Sequence, residues 1–239
     1  MPQTGSAEQL FEEGRLDDAI EALNEALRSD PTDVQSRTFL FELLCFSGAH
    51  ARARAQLDAI STADPDALLS ASWYKEALLA QEQRDEMFRE GKLPDTDADA
   101  RPVSGTLNGQ PFDDLRDADP RIGPRMELLV GGRYSWIPFE HLARVQIEPP
   151  RRLRDLYWIP AQIEGTDAVG SLTNEVLLPV MTPGAARHDD DLVRLGRVTE
   201  WEEIEGGGEA PVGQKLLLVD GEDVSLLEVR ELTFDSPGE

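Results

Sequence analysis

The sequence predicts an α+β protein, with a repeat-built helical part over residues 1–93, an acidic linker over 94–103 and a small, mainly antiparallel β-rich part over 104–239. Three observations carry this. Laid against itself with a shift of 34 residues, the chain places Gly14 on Gly48, Ala19 on Ala53, Leu23 on Leu57, Asp30-Pro31 on Asp64-Pro65 and Leu10 on Leu44. A 34-residue unit of helix, glycine turn, helix and proline is the tetratricopeptide pattern. Helical periodicity then stops after Gly91, and from Ser104 short apolar runs separated by Gly, Pro, Asn and Asp take over, as strands and turns require.

The helical part is arranged around Arg37 to Gly48, RTFLFELLCFSG. Phe39, Leu40, Phe41, Leu43, Leu44, Cys45 and Phe46 make a helix there apolar on nearly every face, so protein must surround it. At roughly 1.5–3 kcal/mol per buried large side chain, the segment contributes on the order of 10 kcal/mol before entropy is subtracted. Ala19 and Ala26 let neighbouring helices approach, Gly14 permits the turn, and Pro31 opens the next unit where its missing N–H is harmless. Phe41 stands where the repeat favours a small residue. A third unit supplies a single helix from about Asp66 to Glu90, apolar at its start (Leu68, Leu69, Trp73, Leu78, Leu79) and polar at its end, as a terminal cap should be. About five antiparallel helices are thus expected between residues 6 and 91.

The linker KLPDTDADARPVSG alternates Asp with small residues and carries two prolines. Beyond it, Asn108-Gly109 marks a tight turn, and MELLV, Gly131-Gly132, RYSWI reads as a hairpin. Pro138 to Leu142 suits one helical turn, and ARVQIE is a strand stopped by Pro149-Pro150. LYWIPAQI, EVLLPVM, QKLLLVD and VSLLEVREL read as further strands, the last two joined through Asp220-Gly221. Asp189 to Leu195 fits a short helix with three Asp at its positive end. The whole should make a small antiparallel barrel or curled sheet.

Charge and composition narrow the function. There are 47 acidic and 23 basic residues, a formal net charge of −24, and only three lysines, Lys75, Lys92 and Lys215. Such a surface repels phosphate backbones and anionic lipid, so nucleic-acid and membrane partners are not expected. A high-salt cytoplasm, where screening removes self-repulsion, accounts for the acidity better than an acidic functional site does. The start MPQTGSAEQL lacks a signal-peptide pattern and no apolar run approaches a membrane span, which reads as cytoplasmic. Cys45 is the single cysteine, and its apolar setting reads as a buried, inert thiol.

No catalytic, cofactor-binding or metal-binding set emerges. His50, His141 and His188 are isolated, and Asp113, Asp114, Asp117 and Asp119 lack the calcium-loop spacing, leaving them turn and cap roles. GEAPVGQK fails as a phosphate loop, because Gln214 separates Gly213 from Lys215 and Leu216 stands where Ser or Thr should bind magnesium. Two partner surfaces remain. One is the concave face of the repeat, with Leu10 and Phe11 on its first helix. The other is aromatic and basic: Tyr134 and Trp136, then Arg151, Arg152 and Arg154 beside Tyr157 and Trp158. Against this stands the plainer reading, in which the aromatics fill the β core and the arginines neutralise nearby acids.

The blocks GRLDDAIEAL, RTFLFELLCFSG, GTLNGQPFDDLRDADPRIGP, MELLVGGRYSWIPFEHL, EPPRRLRDLYWIPA and LLEVREL resemble the ImpE/TagJ, or SciE-type, family of type VI secretion accessory proteins. The resemblance implies a cytoplasmic, non-enzymatic adaptor with a tetratricopeptide-like N-terminal part. It further implies binding to the small contractile-sheath subunit, TssB, through a helix of that subunit, and a link to sheath recycling by the AAA+ ATPase ClpV. The chain departs from the family in having some 15 linker residues where members carry further helical sequence. The competing expectation is a general tetratricopeptide scaffold for an unrelated protein, since fold alone does not specify partner.

Overall fold

The computed structural model describes residues 6–63, 67–94, 102–166, 174–205 and 207–235. Five helices form its first layer: α1 (Ala7–Glu12), α2 (Leu16–Ser29), α3 (Val34–Phe46), α4 (His50–Ala63) and α5 (Leu68–Glu90), each packed on the next. Asp33 starts α3 by accepting hydrogen bonds from the Gln35 and Ser36 N–H groups, so Pro31 lies in the preceding turn rather than at the first helical position. Gly14 turns the chain between α1 and α2 with φ +78°, and a Cβ there would meet Leu192 Cδ2 at 2.6 Å, so no other residue allows both the turn and the contact.

The central helix is buried on every side over its second half. Leu40, Phe41, Leu43, Leu44, Cys45 and Phe46 are each at most 1% exposed. The bulk of Phe41 is accommodated against Tyr74 of α5, with ring centroids 5.9 Å apart. α5 itself differs from the expectation of a solvent-facing cap. Its apolar start is open, with Leu68 and Leu69 52% and 84% exposed, whereas Gln81 and Arg84 of its polar half are buried. The reason is that the polar half lies on the sheet described next, where it meets polar partners.

The strands are β1 (Gly105–Leu107), β2 (Gln110–Phe112), β3 (Leu115–Asp117), β4 (Arg125–Val130), β5 (Arg133–Pro138), β6 (Leu142–Ile147), β7 (Trp158–Gly165), β8 (Asn174–Pro179), β9 (Glu200–Glu203), β10 (Glu209–Val212), β11 (Leu216–Val219), β12 (Glu222–Ser225) and β13 (Glu231–Phe234). Eight form one antiparallel sheet in the order β2-β1-β13-β6-β7-β8-β4-β5. Its edges, β2 and β5, do not meet, so the sheet is open rather than a closed barrel. β12-β11-β3 and β10-β9 make two smaller sheets. Asn108 and Gly109, at φ +51° and +81°, form the β1–β2 turn, and Gly131-Gly132 closes the β4–β5 hairpin. VSLLEVREL is not one strand: Ser225 caps a turn at Leu226–Glu228 that separates β12 from β13. The short helix near Asp189 is α6 (Asp191–Arg194), begun by Asp190.

The central sheet is covered on both faces, which is why its strands are apolar at successive positions. Trp158, Leu129 and Leu177 join the core beneath the helices, while their neighbours Ile159, Leu128 and Leu178 join a second core with Phe139, Val145 and Leu217 on the opposite side. Helical layer and sheet therefore share one core. Of the linker expected over 94–103, residues 95–101 lie outside the described residues, as do Asp64 and Pro65 of the repeat.

Leu44→Asp places an unpaired charge at the centre of this shared core, which costs several kcal/mol. Thermal unfolding of the variant should show helix and sheet signals lost together at a much lower temperature. Cooperative unfolding at the wild-type temperature would show that α3 is not central.

Candidate helix-binding groove and the charged seam

The first helices of the repeat units, α1 and α3, border an open groove of about 800 Å³. Glu8 of α1 lines it opposite Asp33, Val34, Gln35, Ser36, Thr38, Phe39 and Glu42 of α3 and its cap. Phe11 and Phe39 meet edge to face across the two helices, 5.7 Å between centroids. The β-rich part holds α1 in place. Arg197 donates to the Phe11 and Glu12 carbonyls at 2.6 and 2.9 Å, satisfying the orphan acceptors at the helix end, and lies over the Phe11 ring at 4.6 Å. Asp191 accepts from the Leu16 N–H at 2.8 Å, capping α2 from a distant segment because Arg15 offers no side-chain cap. Arg194 pairs with Asp17 at 2.9 Å. The α1 wall of the groove is thus anchored to α6 and the segment after it.

The residues singled out in the sequence do not gather into one patch. Leu10 is buried, and Phe11 is half-buried behind the groove. Tyr157 and Trp158 lie inside the seam between helices and sheet, 5% and 0% exposed, and present no surface to a partner. Tyr157 packs on Phe46 and shares a hydrogen bond with His50 Nε2 at 3.2 Å, while Trp158 Nε1 donates to Gln81 Oε1 at 3.0 Å. Arg154 turns inward to Glu42 at 2.7 Å and over the Tyr74 ring. Arg151 and Arg152 remain exposed, their N–H groups fastened to Asp155. Tyr134 and Trp136 are half-buried on β5, where Trp136 stacks under Arg125 at 4.2 Å.

The seam also holds a charge network absent from the sequence reading. Arg84 of α5 grips Glu127 of β4 with two hydrogen bonds, 2.6 and 2.9 Å. Lys215 pairs with both Glu127 and Asp117, and the Tyr134 hydroxyl donates to Glu127. Two cations and two carboxylates leave the set neutral. Burial opposes ionisation of Glu127, but Arg84 and Lys215 outweigh it and lower its pKa from 4.5 to about 2. For Asp117 burial prevails over Lys215 and raises its pKa from 3.8 to about 6. The void beside these groups is about 10 Å³, room for no more than a water, so the network has no space for a substrate. One signal for it was available: Arg84 continues the stripe Tyr74, Ala77, Leu78, Gln81 along the buried face of α5. Glu8 and Asp33 gave none, since they look like ordinary surface acids.

Among the described residues no group of three or more His, Cys, Asp or Glu is placed to hold a metal ion. His188 lies 3.6 and 3.5 Å from Glu200 and Glu202, and His50 lies 3.5 Å from Asp85. No helix is long and apolar enough to cross a membrane among the described residues.

These features define a class: a tetratricopeptide-type helical layer welded to a two-sided antiparallel sheet. A tetratricopeptide repeat family model matches residues 10–82 and the ImpE protein family model matches residues 109–233; the chain belongs to the ImpE family. It is 37% identical over 262 residues to the type VI secretion system accessory component TagJ of Pseudomonas aeruginosa strain PAO1, covering 96% of this chain and 91% of that protein. The crystal structure of protein VPA1032 from Vibrio parahaemolyticus has the same fold, with a TM-score of 0.84 at 22% identity over 96% of this chain and 97% of that one.

Glu127 tests the network through pH. Because its folded pKa lies near 2 and its ordinary value is 4.5, its ionisation stabilises the fold above about pH 4.5, and this is lost as pH falls towards 2. Asp117 acts in the opposite sense, weakening the fold as pH rises from 3.8 through about 6. Glu127→Gln should cost about 3–5 kcal/mol near neutrality by urea unfolding, and that gap should narrow from pH 4.5 downwards. A gap independent of pH would contradict the ion pairing.

Proposed function

We propose that this chain is a non-catalytic accessory protein of the type VI secretion system. It captures a helix of the small contractile-sheath subunit, TssB-like, and so assists sheath recycling by the ClpV-type AAA+ ATPase in the cytoplasm. The observation that carries this reading is the likeness to the accessory component TagJ, which runs through both the helical layer and the sheet. A helix-lined groove supports it, because such a groove takes the apolar face of a partner helix. The buried state of the strongly perturbed groups supports a binding role over catalysis, since an acid or base must reach a reacting atom.

A general scaffold serving an unrelated partner is the alternative. The match of the ImpE family model to the sheet half, where a bare tetratricopeptide scaffold needs nothing, favours the secretion reading.

Burying a few anchors of one helix corresponds to micromolar binding, about −8 kcal/mol. Titration of a peptide spanning the N-terminal helix of the cognate small sheath subunit, by calorimetry in dilute and in molar potassium chloride, should give such a dissociation constant. The exposed Arg151 and Arg152 should alter association rate more than dissociation rate. Absence of heat in either salt, together with failure to retain the intact subunit on immobilised protein, leaves only the general scaffold.

A further inference from the structure

The chemistry of the α1–α3 groove specifies its occupant further than the family does. Its floor is apolar: the Phe39 ring braced by Phe11, and Val34, 39% exposed on the first turn of α3. Its rim is acidic. Glu8 is exposed, and Glu12, one turn further along the same face of α1, is exposed too. Asp33 is held ionised by hydrogen bonds from the Ser36 hydroxyl and from backbone N–H groups, which lower its pKa. Glu42, also on the lining, is already neutralised by Arg154 at 2.7 Å, which leaves Glu8 and Asp33 as its uncompensated carboxylates.

The walls are helices, whose backbone groups are satisfied within the helix or, at the start of α3, by the Asp33 carboxylate, and offer no edge for strand pairing. An occupant must therefore satisfy its own backbone, which a helix does. An anionic helix would meet Glu8 and Asp33 in a chain of net charge −24 and be repelled. Resting on the helix-capture reading above, we propose that this groove seats a cationic amphipathic helix. Its apolar stripe lies along Phe39 and Val34, and Lys or Arg residues flanking that stripe face Glu8 and Asp33. Screening should slow its association as salt rises.

The test uses the full chain and an amphipathic Lys/Leu peptide of about five helical turns, with a Glu/Leu counterpart. Three proteins are compared by calorimetry: wild type, the groove variant Glu8→Lys/Val34→Arg, and the charge-matched sheet variant Glu222→Lys/Val130→Arg at positions equally open to solvent. The Lys/Leu peptide should bind wild type and sheet variant alike and the groove variant at least tenfold more weakly, with the Glu/Leu peptide weak throughout. Equal loss in the two variants would mean attraction by net charge alone and overturn the proposal. If the groove variant fails to fold, Glu8→Gln/Val34→Ser takes its place with the same expected direction. The cognate small sheath subunit is then measured on the same proteins. Subunit binding unchanged by the groove variant overturns the groove while leaving the adaptor reading intact. No subunit binding to wild type, with the Lys/Leu peptide still discriminating, upholds the groove and sinks the adaptor reading. Self-association of wild type abolished in the groove variant would identify a second copy as occupant and overturn the proposal.

Discussion

Arg84 crosses from the helical layer into the middle of the sheet and finds Glu127 waiting with both oxygens, and the rest of the molecule is arranged so that this pairing holds. A guanidinium buried to 1% exposure is tolerable only with a carboxylate partner in good geometry. Glu127 in turn binds Lys215, and Lys215 binds Asp117, so a single neutral chain of charges links α5, β4, the segment before β11, and β3. One end belongs to the helical layer and the other to the small sheet on the far side. Each member would be an uncompensated buried charge without its neighbours, which makes the network a device for fixing register between layers rather than a large source of stability.

That register has consequences at a distance. α5 lies flat on β4 and β5, with Gln83 bonded to the Gly132 carbonyl and Gln81 to the Trp158 indole. α3 and α4 stack on α5, and the α1–α2 corner is tied to the β-rich part by Arg197, Asp191 and Arg194. A groove whose two walls are fixed this way meets a partner without paying for its own ordering, which favours affinity for a single helix. In chain order the helical layer and the sheet are separate; in packing they are one body.

How much of this was legible depended on how local the signal was. The superposition of Gly14 on Gly48 located the repeat, Asn108-Gly109 and Gly131-Gly132 located two turns, and the run from Leu40 to Phe46 announced a buried helix, because each follows from a few adjacent residues. The strand order was not legible. β13 sits between β1 and β6, with both pairings made between residues distant in the chain, such as Gly105 with Phe234 and Glu231 with Gln146, so that neither leaves a trace in a strand alone. Charge misled at Arg84, read as part of the polar end of a terminal helix, since burial by a distant sheet overrides local polarity. Residue type misled at Tyr157 and Trp158. Aromatics are the common currency of interfaces between proteins, but the interface they fill is the internal one between α3, α5 and β7. The groove was glimpsed only through Phe11, because its acids resemble the many other acids of the surface.

The claim that the Arg84–Glu127 pair fixes the layers is tested most directly by a double-mutant cycle of Arg84→Met, Glu127→Met and the two combined, with stability from urea unfolding. Each single change leaves the buried set one charge out of balance, two carboxylates on Lys215 alone or Arg84 without a carboxylate, and should cost about 3–5 kcal/mol, whereas the double change leaves Lys215 paired with Asp117 and should be more stable than either single. A double variant that loses the sum of the two single costs would contradict the account.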